Sequence, residues 1–169
     1  LRNMKVGTKI LTVLVAPLLV LGVLAGLGVQ ERLADADSAQ DVEQFTVVAS
    51  ADSATVHELQ LERMLTAEYL GSGGQLGGED LVRQREATDE AVSGLEPQLA
   101  GIDLASASGG MREVVAGVQD RLDGLADLRA SVDASLSTQA AMEGYGRTTD
   151  SLLALNTEIG ASIAVVPLT

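Results

Sequence analysis

The step pattern between Met111 and Leu136 restricts the fold of this chain more than any other feature. Met111, Val115, Val118, Leu122, Leu125, Arg129, Val132 and Leu136 are separated by 4, 3, 4, 3, 4, 3 and 4 residues. A strand exposes alternate residues on one face, whereas a helix returns to the same face every three or four, so sustained alternation of 4 and 3 marks a helix packed lengthwise in a bundle. Related stripes recur elsewhere. Phe45, Ala49, Val56, Leu59, Thr66 and Leu70 lie on one, with Arg63 between Leu59 and Thr66. Leu81, Arg85, Thr88, Val92, Leu95, Leu99 and Ile102 form another, and Tyr145, Thr148, Leu152, Leu155, Ile159 and Ile163 a further one.

The stripes predict helices over about 35–70, 79–102, 111–132 and 139–165. Between them, 71–78 is a glycine-rich loop, 103–110 a turn rich in Ser, Ala and Gly, and 135–138 a short turn with Ser137 placed to cap the next helix. Glycines at 71–74 suit the left-handed cap that ends a helix. Pro97 should kink the second helix or end it early, and Gly144 and Gly146 weaken the start of the last. Short connections make neighbouring helices antiparallel. The expected fold is therefore all-α, an up-down antiparallel bundle of four helices.

Composition agrees. Aromatic residues are scarce, with one Phe, two Tyr and no Trp, which disfavours sheets. Cysteine is absent, which excludes disulfides, Cys-ligated zinc and thiol catalysis. The formal charge is -13, and setting aside Arg2, Lys5 and Lys9 leaves -16 on the rest. So acidic a body repels nucleic acid, whose affinity rests on Lys and Arg contacts to phosphate.

Ile10 to Val29 is a run of twenty residues without a charge. At about 1.5 Å per residue it spans a hydrocarbon core of roughly 30 Å, and it is longer than the apolar segment of a signal peptide. Pro17 within it is tolerated in a membrane helix. Basic residues precede the run, and Glu31, Asp35 and Asp37 follow it. The positive-inside rule then predicts a cytoplasmic flank over 1–9, a transmembrane helix over 10–29 and an extracytoplasmic domain over 30–169.

Few residues point to chemistry. His57 is the only histidine, and although His57-Glu58 begins like a zinc-protease helix, no second histidine follows four residues on. The loop Gly71–Gly78 follows a helix rather than a strand and lacks a Gly-Lys-Ser/Thr sequel, so it reads as a cap and turn rather than a phosphate cradle. Neither a metal nor a cofactor is expected. Three arginines, Arg63, Arg85 and Arg129, fall on stripes of three different helices. A guanidinium facing a core keeps its charge and needs an anionic partner. Local pairs are one solution: Arg85 with Asp89, Arg129 with Asp133, and Arg63 with Glu62 or a neighbouring helix. The alternative is that Arg63 and Arg129 face each other across the bundle and hold a small oxyanion in their planar forks.

The segments HELQLERMLTAEYLGSGG (57–74), RQREATDEAV (83–92) and LRASVDASLSTQAAMEGYGRTTDSLLALNTEI (128–159) resemble the nitrate- and nitrite-sensing (NIT) domain. The likeness is greatest to the version found in actinobacterial membrane sensor histidine kinases. It covers roughly residues 55 to 160 in order. It implies an all-helical up-down bundle that binds nitrate or nitrite through arginines. The family's Glu-Arg motif corresponds to Glu62-Arg63, and its Leu-Arg-x-x-Val-Asp motif to Leu128–Asp133. This chain has Met64-Leu65-Thr66 where the family usually has Gly-Leu-Ser. The family domain also continues into a second helical half, a membrane helix, a HAMP linker and a kinase, so this chain is expected to be the front part of a receptor.

The resemblance thus implies the signal-sensing region of a two-component histidine kinase that binds a small anion such as nitrate or nitrite and passes a helix displacement through the membrane. The ligand contacts expected are Arg63 and Arg129, supported by Thr66 and Arg85, in a homodimer anchored through Ile10–Val29. No catalysis is expected within these residues. The alternative is a chemoreceptor-like or dimerising ectodomain that reads a protein partner.

Overall fold

A computed structural model of the protein describes residues 43–164. The expected flank and membrane span lie outside the described residues, and no described helix is long and apolar enough to cross a membrane. The described residues are all helical: α1 over 43–71, α2 Gly78–Ala100, α3 Gly109–Asp123, α4 Leu125–Asp133 and α5 Thr138–Ala164. The single helix expected over 111–132 is thus two segments interrupted at Gly124, a residue of poor helix propensity. The backbone ladder nevertheless runs through: Gly124 N–H donates to Asp120 at 3.1 Å and Leu128 N–H to Gly124 at 3.1 Å. α3 and α4 therefore act as one arm, and the described chain has four.

The ends are set by local chemistry. Ser108 caps α3 by accepting from the Met111 N–H at 2.9 Å, and Ser137 accepts from the Ala140 N–H at 3.3 Å at the start of α5. Pro97 does not stop α2, which runs three residues further to Ala100. Its missing N–H removes only the one bond that would go to the Ser93 carbonyl, and the helix ends within a turn. Gly73, Gly74 and Gly77 have φ of 64°, 81° and 74°, which turns the chain from α1 into α2 in a conformation other residues resist.

Side-chain contacts give the direction of every arm. From α1, Gln44 reaches the Gly101 carbonyl, the Thr55 hydroxyl lies 3.3 Å from the Ala91 carbonyl, and Glu58 accepts from Gln84 at 2.6 Å. Numbers rise along one helix as they fall along the other, so α1 and α2 are antiparallel. The arm α3–α4 runs against α5 in the same sense, with Ser108 bonded to Glu158 at 2.9 Å and Leu128 beside Gly144. α5 returns along α1, where Asn156 contacts Asp52 and Tyr145 contacts Glu62. The expected up-down order holds for the described arms.

Val48, Leu59, Leu95, Val115, Val118, Val132, Tyr145, Leu152 and Leu155 are fully buried in one cluster, each aliphatic side chain contributing about 1.5–3 kcal/mol. Gly144 belongs to this packing. A Cβ there would stand 2.6 Å from Leu128 Cδ1, so the helix-weakening glycine is what lets α5 approach α4.

Candidate functional site

The polar centre of the bundle is Glu62. Its stripe runs through Val48, Asp52, Thr55, Leu59, Glu62 and Thr66, all fully buried; it shares Leu59 and Thr66 with the stripe through Arg63 and departs from it by one residue at Val48, Thr55 and Glu62. Arg63 is half-buried on the flank. The expectation of a core arginine on α1 is therefore corrected to a core glutamate. Helical periodicity leaves adjacent residues about 100° apart, and the facing helices decide between them.

Those helices present cations and a phenol. From α4, Arg129 Nε donates to Glu62 Oε1 at 2.7 Å and Nη2 to Oε2 at 2.8 Å, a two-pronged pair of the kind that fixes both geometry and charge. From α5, the Tyr145 hydroxyl donates to Glu62 Oε1 at 2.7 Å and lies 3.4 Å from the Thr66 hydroxyl. From α2, Arg85 Nε lies 3.9 Å from Glu62 Oε1, buried and without a hydrogen-bond partner. Burial alone would push the Glu62 carboxyl up, but hydrogen bonds from Arg129, Tyr145 and Thr88 and the charge of Arg129 outweigh it and hold the carboxyl below its ordinary 4.5. Burial and the Glu62 charge push the Tyr145 hydroxyl upward, so it stays a donor. Arg129, although burial works against its charge, is held above its ordinary value by Glu62 and Asp89.

The local ion pairs expected for Arg85 and Arg129 are exchanged between helices. Arg85 grips Asp133 with Nη2–Oδ1 at 2.9 Å and Nη1–Oδ2 at 3.1 Å, while Arg129 Nη1 meets Asp89 at 2.6 Å. Pairs across helices bind elements together, which pairs within one helix cannot do.

Of the four residues singled out from the sequence, Arg85 and Arg129 converge on Glu62, Thr66 reaches it only through the Tyr145 hydroxyl, and Arg63 does not. Arg129 is committed to carboxylates of the protein. Arg63 instead lines an open groove of about 560 Å³ with Gln139, Met142, Glu143, Gly146, Arg147 and Asp150 of α5, and neither Arg63 nor Arg147 makes a hydrogen bond or ion pair among the described residues. His57 is exposed. Sequence reasoning missed Glu62 and Tyr145 as the centre. The signal was present in the 4, 3, 4, 3, 4 spacing from Val48 to Thr66, as regular as the stripe through Arg63.

The family model described as nitrate and nitrite sensing matches residues 54–166, more than half of the chain. The chain belongs to the nitrate and nitrite sensing family. The match contains Glu62, Arg63, Arg85, Arg129 and Tyr145, so the whole buried centre lies within the family domain. Among solved structures, one described as the structure of the NasR transcription antiterminator is similar at a TM-score of 0.73 and 25% identity, over 83% of this chain and 38% of that one. The present chain thus spans well under half of that protein. No curated protein matched.

Proposed function

We propose that this domain senses nitrate, nitrite or a like planar oxyanion, with Arg63 as the direct ligand contact. The observation that carries this reading is the Arg63 guanidinium, which has no ion pair or hydrogen bond among the described residues. Arg85 and Arg129 already hold carboxylates, whereas Arg63 keeps its planar fork available, half-buried in a groove beside a second unpaired arginine, Arg147. A chain of net charge -13 offers no long-range attraction to an anion, so recognition has to be local, by hydrogen bonds aimed from fixed donors. Arg129, Arg85 and Thr66 then hold the helices around the site rather than touch the ligand, and the family assignment supports the class of anion.

The test is a thermal melt with and without nitrate and nitrite. Wild type should melt at a higher temperature with the anion, as any protein does when its folded state binds ligand. Arg63→Ala should lose that shift and Arg63→Lys should retain only part of it, because an ammonium lacks the two-pronged fork. Without anion both variants should melt close to wild type, since Arg63 has no ion pair to lose. A wild-type melting temperature indifferent to both anions would overturn the proposal.

The wider setting we propose is the extracytoplasmic sensing region of a membrane two-component histidine kinase, anchored through Ile10–Val29 and working as a homodimer. Its support is the uncharged run with basic residues before it and acidic residues after it. Because the chain has no cysteine, His57→Cys creates a single exposed thiol. An impermeant thiol reagent should label it on whole cells, and labelling only after lysis would reverse the topology.

A further inference from the structure

We propose that Arg85, Asp89, Arg129 and Asp133 form an exchangeable set of ion pairs that alternately staples α2 to α4 and releases it. The pairs present here cross between helices: Arg85 to Asp133 and Arg129 to Asp89. Each aspartate also stands four residues after the other arginine, Asp89 after Arg85 and Asp133 after Arg129, where side chains on one helix meet. The same four groups therefore have a second complete pairing, entirely within helices. No charge is orphaned in the exchange; the ion pairs between α2 and α4 are lost, and of their bonds the one from Arg129 Nη2 to the Arg85 carbonyl, 3.4 Å, stays.

Three features make the exchange accessible. Both aspartates are well exposed, with side chains 60% and 57% open, so water can bridge the carboxylates while they change partner. Glu62 keeps its bonds throughout: it is held by Nε and Nη2 of Arg129, and the exchange uses only Nη1. Arg85 keeps an idle, buried Nε–H 3.9 Å from Glu62 Oε1, which can tighten onto Glu62 as its other nitrogens leave Asp133. The crossed pairing is the resting state, because an arginine placed before an acid within a helix is the weaker order. A domain with this device can shift α2 along α4 without breaking its buried centre, whatever ligand drives the shift. The inference does not depend on an anion binding at Arg63.

Asp89→Asn, Asp133→Asn and the double variant of the 169-residue chain test it. If the pairs exchange, each single variant leaves one aspartate that both arginines can use, and its melting temperature should fall only slightly. The double variant removes the fallback, so its fall should exceed the sum of the two single falls. Simple addition would mean two fixed, independent pairs and would overturn the proposal. A structure of Asp133→Asn gives a second reading: Arg85 on Asp89 supports the exchange, and Arg85 left unpaired or turned to another helix refutes it.

Discussion

Replacing Glu62 with alanine is expected to destabilise the bundle by roughly 3–5 kcal/mol, the usual consequence of removing one partner of a buried ion pair. The side chain is fully buried and accepts two bonds from Arg129 and one from Tyr145. Without it, Arg129 keeps Asp89, but its inward nitrogens and the Tyr145 hydroxyl face a void. Arg85 Nε, already without a partner, loses the nearest carboxylate as well. Glu62→Gln preserves the volume and removes the charge, so it should fall between alanine and wild type. Urea unfolding of the three proteins measures this directly, and a loss under about 1 kcal/mol for alanine would mean that Glu62 does not hold the centre together. The pH dependence has a definite sign. The Glu62 carboxyl is lower in the folded state than in the unfolded one, so its stabilisation is present above the unfolded value of 4.5 and is lost as pH falls through the lower folded value.

Asp52→Asn should act in the opposite direction and raise stability above pH 7 by roughly 2–4 kcal/mol. Asp52 is fully buried on the same face of α1, but no cation among the described residues meets it. Its Oδ2 contacts the Asn156 amide and its Oδ1 has no partner. Burial pushes its carboxyl up from 3.8 to about 7. The folded state therefore binds this proton more tightly than the unfolded state, and stability falls as pH rises from about 4 through 7. Asparagine has no charge to bury, so the variant should lose that slope and match wild type most nearly near pH 4. Unfolding free energies measured from pH 4 to pH 8 separate the cases. A wild type as stable at pH 8 as at pH 5, with no gain from asparagine, would show that the site tolerates the carboxylate. Taken together, the two acids favour maximal wild-type stability near pH 4, where the Glu62 contribution approaches its full value and the loss at Asp52 has only begun.

These two carboxylates stand ten residues apart on one helix and differ only in what the other helices bring to them. α4 and α5 supply a guanidinium fork and a phenol to Glu62, whereas α5 supplies a neutral amide to Asp52. That contrast defines how far the amino-acid sequence reaches by itself. Periodicity determined the four arms, because the apolar positions from Met111 to Leu136 repeat whether or not a partner helix is known. It also placed the turns, since glycines at 73, 74 and 77 permit positive φ wherever they occur. Arg85, Arg129 and Thr66 were legible as unusual because polar residues on an apolar stripe require an explanation.

Which neighbour of a polar pair turns inward was not legible. Glu62 and Arg63 are adjacent, both fit a stripe of alternating 3 and 4, and the choice rests on a difference of about 100° around α1. Only the assembled bundle decides it, by offering Arg129 and Tyr145 to a carboxylate and so compensating its desolvation. The same holds for Asp89 and Asp133. Along the chain each stands beside its own helix's arginine, and only the antiparallel packing of α2 against α4 brings each within reach of the other's. Local spacing is a property of one helix, whereas the partner of a charge is a property of the space between helices.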